Sequence, residues 1–246
     1  MLKRTEWRPF LDLLSPTFFD VVPAGPLLGE LKKLYGLYRS GENRTRAILH
    51  RSATLAQSGL AVKIDPSAAA TSPNGAVTMS ARDRGQRVLE LYFHQIQDDG
   101  LTLLDLRKER FSEDGSELIW NPSSVLADWT PNFREALRSL YRGFYEGDDE
   151  VFRRGLGTLG LAQVESAIRA QFGEGQQNAV RFTLRDFQQK FQDVFVQCRD
   201  TGSRIDTGFL PLGLYLATLY EHLEALGETF DARAAYVASM HLHRDV

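Results

Sequence analysis

Apolar residues recur at helical spacing in the N-terminal part of the chain. A stripe with the three- and four-residue spacing of one helix face lies between residues 27 and 38; its members are Leu27, Leu28, Leu31, Leu34, Tyr35 and Tyr38. Pro26 falls in the first turn, where its missing N–H removes no hydrogen bond, and Gly41 is expected to end the helix. A second helix is predicted over residues 42–57, and a short one over residues 10–14. An N-terminal helical group is therefore expected up to residue 59.

The middle of the chain, residues 60–129, has a different pattern. Residues 66–75 are rich in Ala, Ser and Pro, which predicts a loop or a mobile flap. Turn signals then separate four β-like segments, which are residues 76–81, 87–97, 101–111 and 117–125. Asp-Gly between such segments favours hairpins, since Gly supplies the positive φ of tight turns. The pattern predicts a small antiparallel meander.

Residues 87–97 fit two kinds of element. Their apolar positions also form a helical stripe, through Leu89, Tyr92, Phe93 and Ile96. Periodicity alone does not decide a run of this length. The neighbouring turn signals favour the strand interpretation, with a helix as the alternative.

Residues 130–246 are predicted to form a bundle of helices, whose ends are indicated by capping residues. Thr130, Asp148 and Thr183 are predicted N-caps, because their side-chain oxygens can accept from the first free backbone N–H groups. Gly147 is expected to close the first of these helices. The helix over residues 210–226 is apolar almost all round at its start, which predicts burial in the centre of the fold.

The fold class predicted from these patterns is α+β and mostly helical. A small antiparallel meander is placed between an N-terminal helical group and a C-terminal helical bundle. The chain of 246 residues is expected to form a single domain, residues 1–246, since one core can be built at this length. Its three parts are residues 1–59, 60–129 and 130–246.

Composition narrows the class of protein. The formal net charge is −3, so no nucleic-acid partner is expected, because such partners need a basic face. The first third is nevertheless locally basic, which is interpreted as a solvated helix face, with a surface for polyanions as the alternative. The single cysteine excludes an internal disulfide, and no signal peptide or membrane-spanning run is found. A soluble, cytoplasmic protein is predicted.

Local motifs for chemistry are scarce. No phosphate-binding glycine loop, nucleophile elbow or zinc-protease motif is present, and the glycines from Gly155 to Gly160 are interpreted as permitting close helix packing. His241 and His243 could join His222 around a metal, but the interpretation adopted is an exposed tail and no metal site. Cys198 lies on an apolar helix stripe and is expected to be a buried, inert thiol.

The densest polar cluster precedes a tryptophan. Residues 105–110 read Asp-Leu-Arg-Lys-Glu-Arg, and Trp120-Asn121-Pro122 follows. A contact surface for a partner or ligand is predicted from residue types that are common in binding hot spots; its candidates are Trp120, Asn121, Trp129, Arg107 and Arg110. The alternatives are that the polar residues merely face solvent from a half-exposed sheet, and that both tryptophans seal the sheet against the helices.

The second half of the chain resembles the UbiB/AarF-like atypical protein kinase family. Residues 111–123 have the strand, Asp-Gly turn, strand layout that leads into that family's metal-binding DFG motif, and residues 130–137 look like its next helix. Residues 209–229 look like the family's final long helix. The resemblance covers roughly half the chain and rests on packing residues.

The departures from that family concern its chemistry. Asn121 stands where the DFG aspartate would be, and Ser123 stands where its glycine would be. Residues 104–109 replace the catalytic loop, and only Asp105 could align with the catalytic aspartate. Residues 1–100 lack a counterpart of the family's KxGQ helix and nucleotide-binding lysine. The resemblance therefore implies a catalytically dead relative without a cofactor.

The function predicted from the sequence is non-enzymatic: an interaction or scaffold protein with a protein partner, possibly on a degenerate kinase-like fold. The first alternative is a small-molecule or lipid-binding domain with an apolar cavity among the C-terminal helices. The second is an enzyme of unrecognised type that uses the region of Asp105 and Asn121.

Overall fold

The computed structural model describes residues 16–67, 79–172 and 179–241. Within these ranges the chain is mostly helical with a few short strands, which confirms the predicted α+β class. The predicted helix over residues 10–14 lies outside the described residues. So do residues 68–75 of the predicted loop and residues 76–78 of the first predicted strand.

The described elements are numbered here in chain order. The helices are α1 Pro16–Val21, α2 Ala24–Arg39, α3 Gly41–Ser58, α4 Ala81–Gln97, α5 Pro131–Glu146, α6 Asp149–Thr158, α7 Glu165–Phe172, α8 Leu184–Thr201, α9 Phe209–Leu226 and α10 Ala232–His241. The strands are β1 Val62–Ile64, β2 Thr102–Leu103, β3 Phe111–Asp114, β4 Glu117–Trp120, β5 Leu126–Ala127, β6 Val180–Arg181 and β7 Thr229–Phe230. Two short 3-10 turns are Lys108–Arg110 and Ala162–Val164.

Residues 87–97 belong to helix α4, so the strand prediction is wrong. Ser80 is the N-cap of this helix, and its Oγ accepts from Asp83 N at 3.0 Å. Residues 79–81 of the first predicted strand therefore belong to the cap and the first residue of the helix, so this part of the strand prediction is wrong as well. Gly85 lies inside the helix, and the position requires a glycine because a Cβ there would approach the Phe230 ring to 2.1 Å. The apolar stripe with helical spacing is buried in the structure: each of its members is at most 2% exposed, namely Leu89, Tyr92, Phe93 and Ile96.

The strands form three small sheets, so the predicted meander is wrong beyond one hairpin. That hairpin joins β3 to β4 in antiparallel register, and Gly115 in its turn has φ +59°, as the Asp-Gly signal predicts. Strand β1 pairs with β4 in parallel, whereas β2 pairs with β5 and β6 with β7. Because residues 81–97 form helix α4, long connections separate most of the strands. Few strands that follow one another in the sequence therefore pair.

The tertiary contacts divide the chain into two compact units, whereas the sequence analysis expects one domain. The described part of the first unit is residues 16–33, 129–172 and 183–217. The described part of the second is residues 34–67, 79–128, 179–182 and 218–241. Helices α2 and α9 contribute residues to both.

The first unit is a set of closely packed helices. Phe18 of α1 meets Phe195 of α8 edge to face, with ring centroids 5.2 Å apart. Helices α5 and α6 approach through glycines, because a Cβ on Gly143 would lie 2.4 Å from the backbone nitrogen of Phe152. Gly155 makes a similar approach from the other helix, so the sequence interpretation of this glycine is confirmed.

The second unit combines the sheets with α3, α4, α10 and the end of α9. Helices α4 and α10 pack through Phe93 and Tyr236, whose rings meet edge to face at 5.7 Å. The amide of Gln86 also exchanges two hydrogen bonds with the backbone of Asp231, which precedes α10. Arg84 of α4 donates to Lys108 O at 3.3 Å and to Phe111 O at 3.1 Å, which places α4 beside the segment that joins β2 to β3.

Helix α9 is buried along its length, as its apolar sequence predicts. Leu210, Tyr215, Leu219 and Leu223 are each at most 2% exposed. Two polar residues of its second half, Thr218 and His222, are also buried. They lie four residues apart and therefore share one face of the helix.

The close packing of α5 against α6 can be tested with a pair of glycine substitutions. Gly155→Ala should lower the free energy of unfolding by about 1–3 kcal/mol, because the new Cβ would overpack the contact. Its Cβ would lie 2.8 Å from the Ala136 carbonyl oxygen and 3.1 Å from Leu140 N. Urea denaturation monitored by circular dichroism measures the change.

Gly157→Ala in the same helix is the matched control. No described atom lies within 4 Å of a Cβ at that position. This variant should gain up to about 1 kcal/mol from the better helix propensity of alanine. Equal effects of the two substitutions would contradict the packing of α6 against α5.

Candidate functional site

The candidate site is the segment between β2 and β3, residues 104–110, which we call the Asp105 loop; residues 104–107 of it are buried. Leu104 and Leu106 are fully buried, and Leu104 N donates to Val125 O at 3.0 Å, next to the β2–β5 pair. The indole Nε1 of Trp120 donates to Asp105 O at 3.2 Å. The loop is thus fixed by the strands on either side of it, although it forms no strand itself.

Helix α9 supplies further backbone partners of the loop. The hydroxyl of Thr218 donates to Leu104 O at 2.7 Å and accepts from Leu106 N at 3.2 Å. One turn later, His222 Nδ1 lies 2.8 Å from Leu106 O. A carbonyl oxygen only accepts, so Nδ1 carries the proton of the neutral ring.

Asp105 holds two arginines of the same loop. Its Oδ1 accepts from Arg107 Nε and its Oδ2 accepts from Arg107 Nη2, both at 2.8 Å. Arg110 Nε donates to the same Oδ2 at 2.9 Å. The side chain of Asp105 is only 1% exposed, and that of Arg107 is 6% exposed. This is a bidentate, charge-assisted pair with a second guanidinium on one of its oxygens.

The arginines decide the protonation of Asp105. Burial alone would raise the pKa of the Asp105 carboxyl, but the hydrogen bonds and charges of Arg107 and Arg110 outweigh it and lower the pKa. The same contacts raise the pKa of Arg107. A general base needs a free lone pair near its proton donor and a pKa close to the working pH. Asp105 is therefore placed to hold the loop together and poorly placed to take a proton.

His222 is kept neutral by its surroundings. Burial lowers the pKa of its imidazole to about 3, with a further lowering by the charges of Arg84 and Lys108, although the bond to Leu106 opposes the shift. The ring lies 5.1 Å from that of Phe111, which stacks on Trp120 across the β3–β4 pair. The imidazole thus works as a backbone partner inside an aromatic cluster.

The predicted contact residues differ in how far the structure buries them. Trp120 is fully buried and Trp129 is 5% exposed, so neither indole lies on the surface of the folded protein. Trp129 lies in the first unit, where its Nε1 donates to Gly208 O at 3.2 Å. Arg107 is also buried, because Asp105 holds it inside the loop. Asn121 is half-buried, and Arg110 has 28% of its side chain exposed.

A second buried charge cluster joins α3 to the end of α4. The fully buried Arg51 lies with its Nη2 2.7 Å from Asp98 Oδ2 and its Nη1 3.3 Å from His94 Nδ1. His50 Nε2 is 2.8 Å from the same Asp98 oxygen. Burial would raise the pKa of Asp98, but the charges of Arg51 and His50 outweigh it and lower the pKa. No local pattern in the sequence indicates this cluster.

A signal for part of the missed site is present in the sequence. Thr218 and His222 interrupt an apolar helix at four-residue spacing, which is unusual for a buried face. Polar residues at such positions usually pair with buried backbone. Their partners Leu104 and Leu106 are not indicated by any local pattern.

Other chemistry finds no support among the described residues. They contain no group of three or more His, Cys, Asp or Glu side chains arranged to hold a metal ion. His243 of the metal alternative lies outside the described ranges. Cys198 is buried, and its burial raises the pKa of the thiol to about 11, so at neutral pH it carries no thiolate for nucleophilic attack. None of the described helices is long and apolar enough to cross a bilayer.

Comparisons with protein-family models, curated proteins and solved structures give no match for this chain. The resemblance to UbiB/AarF-like kinases stays a prediction from the sequence.

The ion pairs of the Asp105 loop predict a large difference between two acidic residues that both contact Arg107. Asp105→Asn should lower the free energy of unfolding by about 3–5 kcal/mol, because it leaves buried guanidinium charge without its partner. Glu109→Gln is the control: its carboxylate lies 3.3 Å from Arg107 Nη1 but its side chain is 54% exposed. That change should cost less than about 1 kcal/mol. Denaturant titration of both variants at neutral pH separates the two cases, and a small effect of Asp105→Asn would contradict the assignment.

The lowered pKa of His222 predicts part of the acid sensitivity. The unfolded chain protonates this histidine near its ordinary pKa of 6.5, whereas the folded chain does so only near 3. The unfolded state therefore binds the extra proton, and stability falls as the pH drops below about 6.5. His222→Asn keeps an amide N–H near Nδ1 and should flatten the loss by about 1.4 kcal/mol per pH unit between about pH 6 and pH 4. The slope against pH is the readout, since any constant offset reports the lost ring volume; parallel slopes would refute the prediction.

Proposed function

We propose that this protein is a non-enzymatic interaction protein built on a degenerate kinase-like fold. The observation that carries the proposal is the state of Asp105, the one residue of the loop that the resemblance could align with a catalytic aspartate. Both oxygens of its carboxylate accept hydrogen bonds from arginines, and its side chain is buried. A group in this state holds structure and has no capacity left for a substrate.

The other parts of a phosphoryl-transfer site support the same proposal. Such transfer depends on metal ions held by carboxylates, on a lysine that contacts the phosphates and on a free base. Asn121, an amide, occupies the position implied for the metal-binding aspartate, directly after β4. The hairpin of β3 and β4 has the layout that the resemblance implies, which favours a relative that kept this packing and lost the reaction.

The alternative of an apolar ligand finds less support. A cavity of about 290 Å³ lies between α7 and α8, but its lining includes Ser166, Lys190, Asp193 and Gln197. Apolar ligands bind in pockets lined mainly by hydrophobic and aromatic side chains. The enzyme alternative depends on the region of Asp105 and Asn121. There, both oxygens of the Asp105 carboxylate already accept hydrogen bonds from arginines.

The proposal predicts that nucleotide does not stabilise the protein. The melting temperature of the full chain, measured by differential scanning fluorimetry, should not rise with magnesium-ATP at concentrations up to about 5 mM, because a ligand of the native state must stabilise it by mass action. Magnesium sulfate at matched ionic strength is the control for salt effects. A saturable rise that depends on the nucleotide, or transfer of labelled phosphate to a protein acceptor, would overturn the proposal.

A further inference from the structure

Helix α2 exposes a narrow row of large apolar side chains. The row consists of Leu28, Leu31, Tyr35 and Tyr38, which are 59%, 41%, 57% and 37% exposed. Their spacing of three, four and three residues is that of the a and d positions of two heptads. We call these four residues the α2 seam. A seam of this kind is the contact line that two packed helices share, and here it faces outward.

The two flanks of the seam differ. On one side lie the g-type positions, where Leu27 is buried and Leu34 is half-buried. On the other side the e-type positions hold Lys32 and Arg39, both exposed. The Arg39 guanidinium lies over the Tyr35 ring, 5.7 Å from its centroid, so one positive charge is kept beside the seam. One flank of the seam is thus basic, and the other turns into the protein.

We propose that the α2 seam binds a helix of a partner protein, and that this helix carries apolar residues at its a and d positions and acidic residues along the edge that meets Lys32 and Arg39. The inference extends the proposed function by naming the surface and the chemistry of the partner. Oppositely charged residues beside a heptad seam set partner choice and orientation. Five basic and two acidic residues lie between positions 24 and 46, in a chain whose net charge is −3, so charge complementarity favours an acidic partner.

The width of the seam favours a helix over a lipid surface. A helix that lies in a membrane interface buries a broad apolar face, whereas a strict a and d row is the narrower line of a helix pair. From Leu28 to Tyr38 the seam extends about 15 Å, or nearly three helical turns. A partner helix of three heptads covers that length.

The flanks disfavour a second copy of this chain. In an antiparallel pair, Lys32 and Arg39 of one copy would lie opposite the same residues of the other, and like charges repel. In a parallel pair, they would face the flank of Leu27 and Leu34, which is turned into the protein. Neither arrangement gives the basic flank an acidic neighbour.

Two synthetic peptides of three heptads test the proposal against the full-length protein. Both carry Leu at a and d; one has Glu at e and g, the other has Lys there. Fluorescence anisotropy at nanomolar labelled peptide and low salt should show the acidic peptide binding about tenfold tighter than the basic one, since two charge pairs change from attraction to repulsion. The double substitution Lys32→Glu with Arg39→Glu should reverse the preference.

Two further variants distinguish binding at the seam from nonspecific hydrophobic binding. Leu28→Ser with Leu31→Ser should weaken binding of the acidic peptide at least tenfold while the melting temperature stays unchanged, because both side chains are exposed. Lys33→Glu is the matched charge control. It lies next to Lys32 but at an f-type position away from the seam, and it should keep the preference for the acidic peptide.

Each other outcome overturns the proposal. Failure of the acidic peptide to bind, or equal binding of both peptides, removes the acidic helix as the occupant. Binding to phosphatidylserine vesicles that the two leucine substitutions abolish, without a peptide preference, would assign the seam to lipid. A dimer in analytical ultracentrifugation that the same substitutions dissociate would assign it to a second copy. The magnesium-ATP experiment does not involve α2, so failure here leaves the non-enzymatic proposal standing and can be told apart from its failure.

Discussion

Burial of an irregular segment is the constraint on which the second unit depends. Residues 104–107 of the Asp105 loop are buried without forming a strand, so their backbone N–H and C=O groups need partners from elsewhere. Each such group left unpaired would cost about 1–3 kcal/mol. Helix α9, which is distant in the sequence, supplies such partners through Thr218 and His222. The neighbouring strand β4 supplies another through Trp120. This explains why a helix that is otherwise apolar carries a hydroxyl and an imidazole on one face.

The same constraint limits what the loop can do chemically. A buried carboxylate is tolerated only when it is paired, and Asp105 is paired twice within six residues of sequence. The geometry that stabilises the charge in the interior also occupies both carboxylate oxygens with arginine donors. Asn121, next to the buried Trp120, adds no charge of its own. The loop therefore joins strand β4 to helix α9 through its hydrogen bonds to Trp120, Thr218 and His222.

Helix α2 shows how far a hydrophobic pattern can be read. Six apolar residues lie on one stripe by their spacing, and the tertiary packing decides which of them face the interior. In the structure Leu27 is buried, whereas Leu28 and Tyr35 are more than half exposed. The apolar stripe is wider than the part that the protein covers, and the exposed remainder is the α2 seam.

Local physics explains which features the sequence determined by itself. The caps at Thr130, Asp148 and Thr183 form as predicted, because each bond reaches only two or three residues along the chain, and the Asp-Gly turn before β4 needs only one positive φ. Tertiary structure decided the rest. Residues 87–97 fit a helix and a strand in period, and the structure buries the helical stripe, with Phe93 packed on Tyr236 of α10. The pairing of His222 with Leu106 spans 116 residues, and the burial of Trp120 depends on the groups that surround it. No local pattern encodes such contacts, because their free energy comes from groups that become neighbours only when the chain has folded.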